Sequence, residues 1–357
     1  MSTRTISLEV NGSPITAEIE SRTLLVDVLR DVAATKGVRI ACEEGACGAC
    51  SVHVDGVVLK SCLILAARVD GAKITTVEGL ADGKNLNALQ EAFISCHALQ
   101  CGYCSAGMLM SAQAFLEENA GKKLHDDDIR QAISGNYCRC TGYNNIIHAI
   151  KVAAGQAEPP VDVNSVAHRG KESWIGRAVP RREDRRIVMG RGRYADTFVQ
   201  SSDLHISVAR ATYAHALIKR VDVNKAVTMP GVVRVVTGSE AAEHWQAISP
   251  TMELLDLKLP RRHPMAVDKV NFYGEAIAFV IADSANRAED AMRAIEVEYE
   301  ALPVNVDVEQ ALAEQADSPA LLYPDWQTNV QVDYAFENGD PDAVFAGAAL
   351  VLEEDIV

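Results

Sequence analysis

Residues 41–62 read "ACEEGACGACSVHVDGVVLKSC" and hold four of the chain's nine cysteines: Cys42, Cys47, Cys50 and Cys62. The spacing is Cys-x4-Cys-x2-Cys-x11-Cys, and its first three positions match the plant-type arrangement for a [2Fe–2S] cluster. Gly45 and Gly48 lie inside the loop, where glycine lets the backbone turn tightly and aim amide N–H groups at sulfur. A structural zinc more often shows two Cys-x2-Cys or Cys-x2-His knuckles across a spacer. Only one such knuckle, Cys47 and Cys50, occurs here. Disulfides are disfavoured by the expected compartment. The opening "MSTRTISLEVNGS" has no basic stretch leading into an apolar one, and no apolar run approaches the ~18–20 residues of a membrane span. The cytoplasm is therefore expected, and thiols stay reduced there.

On either side of the loop the sequence alternates. Ile6, Leu8 and Val10 share one face, Asn11–Gly12 offers a tight hairpin turn, and Ile15, Ala17 and Ile19 resume the pattern. Leu24, Leu25, Val28, Leu29 and Val32 recur at helical spacing, with Gly37 as the expected stop. After the loop, "SVHV" and "VVL" flank a second turn at Asp55–Gly56, and a short strand is expected at 74–77. Residues 1–83 thus read as a small α+β domain.

From residue 84 the period becomes helical. "LNALQEAFI", "SAGMLMSAQAFLEEN", "HDDDIRQAISG" and "NNIIHAIKVAAG" predict four helices in an all-helical domain over 84–156. Ser105 is placed to cap the second, whose stripe is Met108, Leu109, Ala112, Phe115 and Leu116. This domain carries a second cysteine set, Cys101-x2-Cys104 and Cys138-x-Cys140, each pair near a predicted helix start. Helix N-termini facing one another would present positive dipole ends to an anionic iron–sulfur cluster. Taken alone, the two pairs suit zinc almost as well as iron. Cys96, the ninth thiol, has no partner left and reads as a small buried apolar side chain.

The polar stretch 157–173, with Pro159–Pro160, reads as an extended linker. Beyond it, 174–357 predicts an α+β domain of mixed pairing. "LHISVARA", "VVRVVTG", "EAIAFVIAD" and "IEVEYEAL" read as strands, and "SANRAEDAMRA" as a helix capped by Ser284. The closing "AALVLEEDIV" reads as a strand whose neighbours lie elsewhere. A net charge of −15 argues against a broad nucleic-acid surface. The pairs Arg181–Arg182, Arg185–Arg186 and Arg261–Arg262 read as solvated or ion-paired surface.

Joined in this order, "CEEGACGACSV…C" and "QCGYC…CRCTGY" resemble the iron–sulfur component of the molybdenum hydroxylases, the xanthine dehydrogenase and aldehyde oxidoreductase family. "IGRAVPRREDRRIVMGRGRYADT", "ARATYAHALIKRVDVNKAVTMPGVVRVVTG" and "VNFYGEAIAFVIADSANRAEDAMRAIEVEYEALP" resemble the first domain of that family's molybdenum-carrying part. The resemblance implies a multidomain α+β chain: a β-grasp ferredoxin-like domain, an all-helical [2Fe–2S] domain and an α/β hammerhead-like domain. It implies that Cys42, Cys47, Cys50 and Cys62 ligate one cluster and that Cys101, Cys104, Cys138 and Cys140 ligate a second, nearer the molybdenum. It also places Gln100 and Cys140 against the pterin of the molybdenum cofactor. The implied reaction hydroxylates a heteroaromatic or aldehyde substrate with water-derived oxygen, and the electrons leave through both clusters to a flavin or other acceptor.

The glycine-rich cofactor loops and the glutamate base of the family's catalytic part are not in this sequence. No catalytic residue is therefore assigned. The expectation is a natural split, with the molybdenum cofactor mainly on a partner chain and FAD on another where a flavin is used. Gly190 and Gly192 form a lone Gly-x-Gly without the rest of a dinucleotide fingerprint. A free-standing ferredoxin-like carrier with a binding domain and a zinc-stabilised scaffold are the alternatives weighed. His97, His148, His215, His263, Glu183, Asp184 and Glu275 read as structural.

Overall fold

The computed structural model describes residues 3–160, 181–200, 202–248, 257–260, 262–314 and 316–355. Most of the expected linker, 161–173, the opening of the third domain at Trp174, and Arg261 lie outside the described residues. The chain forms two compact units, Met1–Ser201 and Ser202–Val357.

In the first unit the two predicted turns set the sheet. Asn11 and Gly12 take φ of 49° and 80°, Asp55 and Gly56 take 48° and 85°, the left-handed pair that a two-residue hairpin needs. Strands β1 (Thr3–Val10) and β2 (Ser13–Glu20) flank the first turn, β3 (Ser51–Val54) and β4 (Val57–Lys60) the second. With β5 (Lys73–Thr75) they form one sheet in the order β2-β1-β5-β3-β4, in which β1 and β5 are parallel and the other pairs antiparallel. Ile6, Leu8, Val10, Ala17 and Ile19 point into a core closed by Leu25, Val28 and Leu29. The covering helix begins as α1 (Leu25–Asp27), continues as a π-turn over Val28–Val32 and ends there. Gly37 is not its stop, because the left-handed residue is Ala34, with φ 54°.

The helical part contains α2 (Ala88–Ser95), α3 (Ser105–Glu118), α4 (Asp126–Ala132) and α5 (Asn144–Ala153). Asn87 caps α2 by accepting from the Gln90 N–H at 2.9 Å. Ser105 does not cap α3; it is the first helical residue, and Cys104 occupies the cap position without a side-chain cap bond. Nor is α3 one-sided, since every residue from Ser105 to Ala112 is buried. The reason is β3, all four of whose residues are buried because α3 covers its second face. His53 Nε2 on β3 lies 2.9 Å from the Met110 carbonyl on α3, a buried bond that ties sheet to helix. Past the undescribed stretch, α6 (Asp184–Val188) adds Ile187 and Val188 to the helical core.

The second unit holds β6 (His205–Arg210), β7 (Ala216–Asp222), β8 (Val232–Thr237), β9 (Lys269–Val270), β10 (Ala276–Ala282) and β11 (Glu296–Ala301). They form two three-stranded sheets, β6-β10-β8 and β11-β7-β9. Pairing is antiparallel in every case, not mixed as expected. Helices α7 (Asn224–Val227), α8 (Gly238–His244) and α9 (Ala285–Met292) accompany them. Ser284 caps α9 as predicted, accepting from Arg287 N–H at 3.3 Å. The strand expected in "AALVLEEDIV" does not form among the described residues 348–355. Leu350 and Leu352 are exposed there. Among the described residues no helix is long and apolar enough to cross a membrane.

Candidate metal centres

The loop 42–50 is shaped by backbone conformations that favour glycine. Glu43, Gly45 and Gly48 all have positive φ, at 57°, 79° and 74°. The turn brings the Cys47 N–H to 3.4 Å from Cys42 Sγ. Hydrogen bonds from the backbone of Cys47, then of Glu44 and Ala46, hold the Cys42 thiol down to about 7. Burial acts oppositely on Cys62, pushing it up to about 12, with the neighbouring Cys50 thiol adding to the rise. Cys47 is also raised by burial, and it contacts Cys42. Lys60 brings a positive charge that interacts with Cys50, Cys47, Cys62 and Cys42, so all four predicted thiols share one site.

The second set converges in the same way. Burial raises Cys101, whose thiol contacts Cys140 and feels Cys138. Burial likewise pushes Cys104 well above the ordinary thiol range, with Cys138 next in effect and Cys101 after it. Burial would raise Cys138 too, but the Thr141 hydroxyl and nearby N–H groups outweigh it and the thiol is lowered. Thr141 Oγ1 donates to Cys138 Sγ at 3.1 Å, and the Cys138 N–H donates to Tyr143 Oη at 2.8 Å. Tyr143, at φ 68°, is the N-cap of α5. Cys104 therefore sits at a helix start as expected, whereas Cys138 and Cys140 lie in the loop before one. Cys101, Cys140 and Gln100 are exposed.

Each set thus offers four soft thiol donors, buried in part, with N–H or O–H groups pointing at sulfur. That chemistry fits a [2Fe–2S] cluster, which the four thiolates of a set would hold. Among the described residues no three His, Cys, Asp or Glu side chains surround one ion position. A cluster with two thiolates on each iron does not ask for three.

The two sites meet directly. The Tyr137 N–H, one residue before Cys138, donates to the Cys47 carbonyl at 2.8 Å. Asn136 Nδ2 donates to the Gly48 carbonyl at 3.1 Å, and Lys60 Nζ donates both to Ser51 Oγ at 2.9 Å and to the Gly135 carbonyl at 3.0 Å. None of these contacts was foreseen from the sequence; spacing identifies candidate ligands, not which loops touch.

Several of the residues read as structural have partners within the protein. Cys96 is buried in the helical core. His215 Nδ1 donates to the Pro303 carbonyl at 2.8 Å, and His148 Nε2 lies 3.0 Å from the Glu158 carbonyl. Asp184 pairs with Arg181 at 2.6 Å, Glu183 with Arg186 at 3.9 Å, and Glu275 accepts from the Asn271 N–H at 2.6 Å.

Both cysteine sets lie within stretches that match known domain families. Residues 8–81 match the 2Fe-2S iron-sulfur cluster binding domain and residues 76–151 the [2Fe-2S] binding domain. Residues 189–303 match the aldehyde oxidase and xanthine dehydrogenase a/b hammerhead domain. The caffeine dehydrogenase subunit gamma of a Pseudomonas species is 48% identical over 159 residues, 44% of this chain and 95% of that one. The aldehyde oxidoreductase of Megalodesulfovibrio gigas is 33% identical over 98% of this chain. The crystal structure of the aldehyde oxidoreductase from Desulfovibrio desulfuricans superposes with a TM-score of 0.82 at 31% identity over 97% of this chain. This chain spans 39% and 38% of those two longer proteins.

Proposed function

Because the chain belongs to the molybdenum hydroxylase family, that of xanthine dehydrogenase and aldehyde oxidoreductase, we propose that it is the electron-relay part of such an enzyme. In this reading Cys42, Cys47, Cys50 and Cys62 hold the first [2Fe–2S] cluster, and Cys101, Cys104, Cys138 and Cys140 the second. Bound there, the clusters supply one-electron steps between a molybdenum centre and a flavin or other acceptor. The reaction served is hydroxylation of a heteroaromatic or aldehyde substrate with oxygen from water. Gln100 and Cys140, exposed at the second site, are the proposed contacts to the pterin on a molybdenum-bearing partner chain. The nine free cysteines suit a reducing compartment such as the cytoplasm.

The observation that carries the reading is the meeting of the two thiol sets across one bond, from Tyr137 N–H to the Cys47 carbonyl. It leaves a short covalent and hydrogen-bonded route between a ligand of each set. On one side of the route β3 and the first half of α3 are buried throughout, whereas Tyr137 itself is exposed. Amide and hydroxyl donors on Cys42 and Cys138 stabilise added negative charge on sulfur.

Metal and sulfide analysis of the natively purified assembly tests this. The expected result is about four irons and four sulfides per chain, with molybdenum travelling with a second polypeptide. Colourless, zinc-loaded material would overturn the reading in favour of a scaffold; iron without molybdenum would favour a free-standing carrier. Lys60 gives a finer check. Lys60→Met removes the cation facing the first thiol set, so the midpoint potential of that cluster should fall while the second is unmoved. Redox titration followed by paramagnetic resonance reads both.

A further inference from the structure

Residues 181–200 follow the undescribed stretch, yet they belong to the first unit. Helix α6 docks by its backbone: Gln90 Nε2, itself fully buried, donates to the Val188 carbonyl at 2.9 Å. Gly190, at φ 76°, then crosses Gly37 so closely that a Cβ on Gly37 would stand 2.7 Å from the Gly190 Cα. Beyond that crossing the chain meets two arginines from the first cluster domain, both nearly fully buried. Arg39 donates to the Gly192 carbonyl at 2.7 Å and stacks 4.5 Å from the centre of the Tyr194 ring. Arg30 donates to the Asp196 carbonyl at 3.0 Å, and its guanidinium pairs with the Asp196 carboxylate, also at 3.0 Å.

The same segment lies on the second cysteine loop. Tyr194 Oη donates to the Cys101 carbonyl at 2.7 Å, and its ring meets Tyr103 edge-on at 5.1 Å. Gly102, between the two cysteines, could not carry a side chain, since its Cβ would sit 2.6 Å from Ile187 Cγ2 and 2.8 Å from Tyr194 Oη. Tyr103 in turn donates to the Ile40 carbonyl at 2.6 Å, two residues before Cys42. One tyrosine therefore touches the loop of the second thiol set while a buried arginine of the first domain holds its ring.

We propose that residues 184–198 are a strap belonging to the relay, in which Tyr194 is a positioning residue that fixes the Cys101–Cys104 loop and sets the potential of the cluster held there. The inference rests on the reading that Cys101 and Cys104 are cluster ligands. The donated hydrogen bond draws charge from the Cys101 carbonyl, whose dipole otherwise lies beside the ligand sulfur and disfavours an added electron. Arg39 orients the ring and pairs with Asp196, 3.4 Å away, which it shares with Arg30. The strap thus keeps the donor in place over the Cys101 carbonyl.

The test uses the full chain as purified with its partners, carrying Tyr194→Phe or Tyr194→Leu, and a redox titration of both cluster signals. Tyr194→Phe keeps the ring and loses only the bond. The second cluster's midpoint potential should fall, the first should hold, and the melting temperature should change little. Tyr194→Leu should also speed iron loss to a chelator from the second site alone. If both signals are present and neither variant moves the second potential, the strap has no such role, although the ligand reading stands. If the unmodified protein shows a single cluster, the ligand reading fails first and the strap proposal with it.

Discussion

Cys104→Ala halves the iron, from about four to about two per chain, and removes one of two paramagnetic signals while the protein stays folded. Cys104 is held at the N-cap of α3, where its thiol interacts with Cys138 and Cys101. The helix begins without a side-chain cap bond, so the substitution takes away a donor to the cluster and no support for the fold. The first thiol set lies around Lys60 and contains none of these residues. Its signal should persist at full intensity. Electron delivery from the molybdenum site to an external acceptor should fall to background, because the relay then lacks its nearer station. Cys96→Ala is the control. That thiol is more deeply buried than Cys104, but it packs in the helical core and contacts only Ser95 among polar groups. Its loss leaves a small cavity, costing about 1 kcal/mol, and leaves the iron at about four. Loss of both signals in Cys104→Ala, or loss of iron in Cys96→Ala, would contradict the assignment of two independent sets.

Where the chemistry is written in residue type and spacing, the sequence was legible. Asn11–Gly12 and Asp55–Gly56 fixed two hairpins because only a few residues tolerate paired positive φ. The eight cysteines divide by spacing into two sets, and the fold brings the thiols of each set near one another. Other features depend on contacts between distant segments and leave no local pattern. The burial of the first half of α3 on all sides follows from β3 lying against it, and a stripe of Met108, Leu109 and Ala112 does not announce a second covered face. The strap around Tyr194 docks through arginine, aspartate and glycine, residue types that read as surface when their partners are unknown. Strand β7, "ALIKRVD", was missed for a related reason: its middle is charged and exposed, so the alternation is interrupted. The antiparallel pairing of the second unit was equally hidden, since strand spacing says nothing of direction.

Gly107→Ala sets local preference against packing, and packing should win. Within a helix the change is ordinarily favourable by about 1 kcal/mol. Here a Cβ on Gly107 would stand 2.0 Å from the Gly48 carbonyl oxygen, with the Gly48 and Ala49 carbonyl carbons at 3.0 and 3.1 Å. All three are backbone atoms of the first cysteine loop. The Gly48 oxygen cannot swing aside freely, because it accepts from the Ser51 N–H at 3.1 Å, Ser51 Oγ at 2.8 Å and Asn136 Nδ2 at 3.1 Å. Retreat in the other direction is blocked as well: a Cβ on Gly48 itself would lie 2.2 Å from the Gly135 carbonyl. Overpacking of this kind costs about 1–3 kcal/mol, so the net change is destabilising and the melting temperature falls by several degrees. The displaced loop carries Cys47 and Cys50, and moving it lengthens the bond from Tyr137 N–H to the Cys47 carbonyl. The magnetic interaction between the two reduced clusters should weaken with it. Gly135→Ala supplies the comparison: its Cβ meets only the flexible Lys60 Nζ at 3.5 Å, and neither stability nor coupling should move. A Gly107→Ala protein as stable as the parent, with cluster coupling intact, would show that α3 and the cysteine loop are free to part.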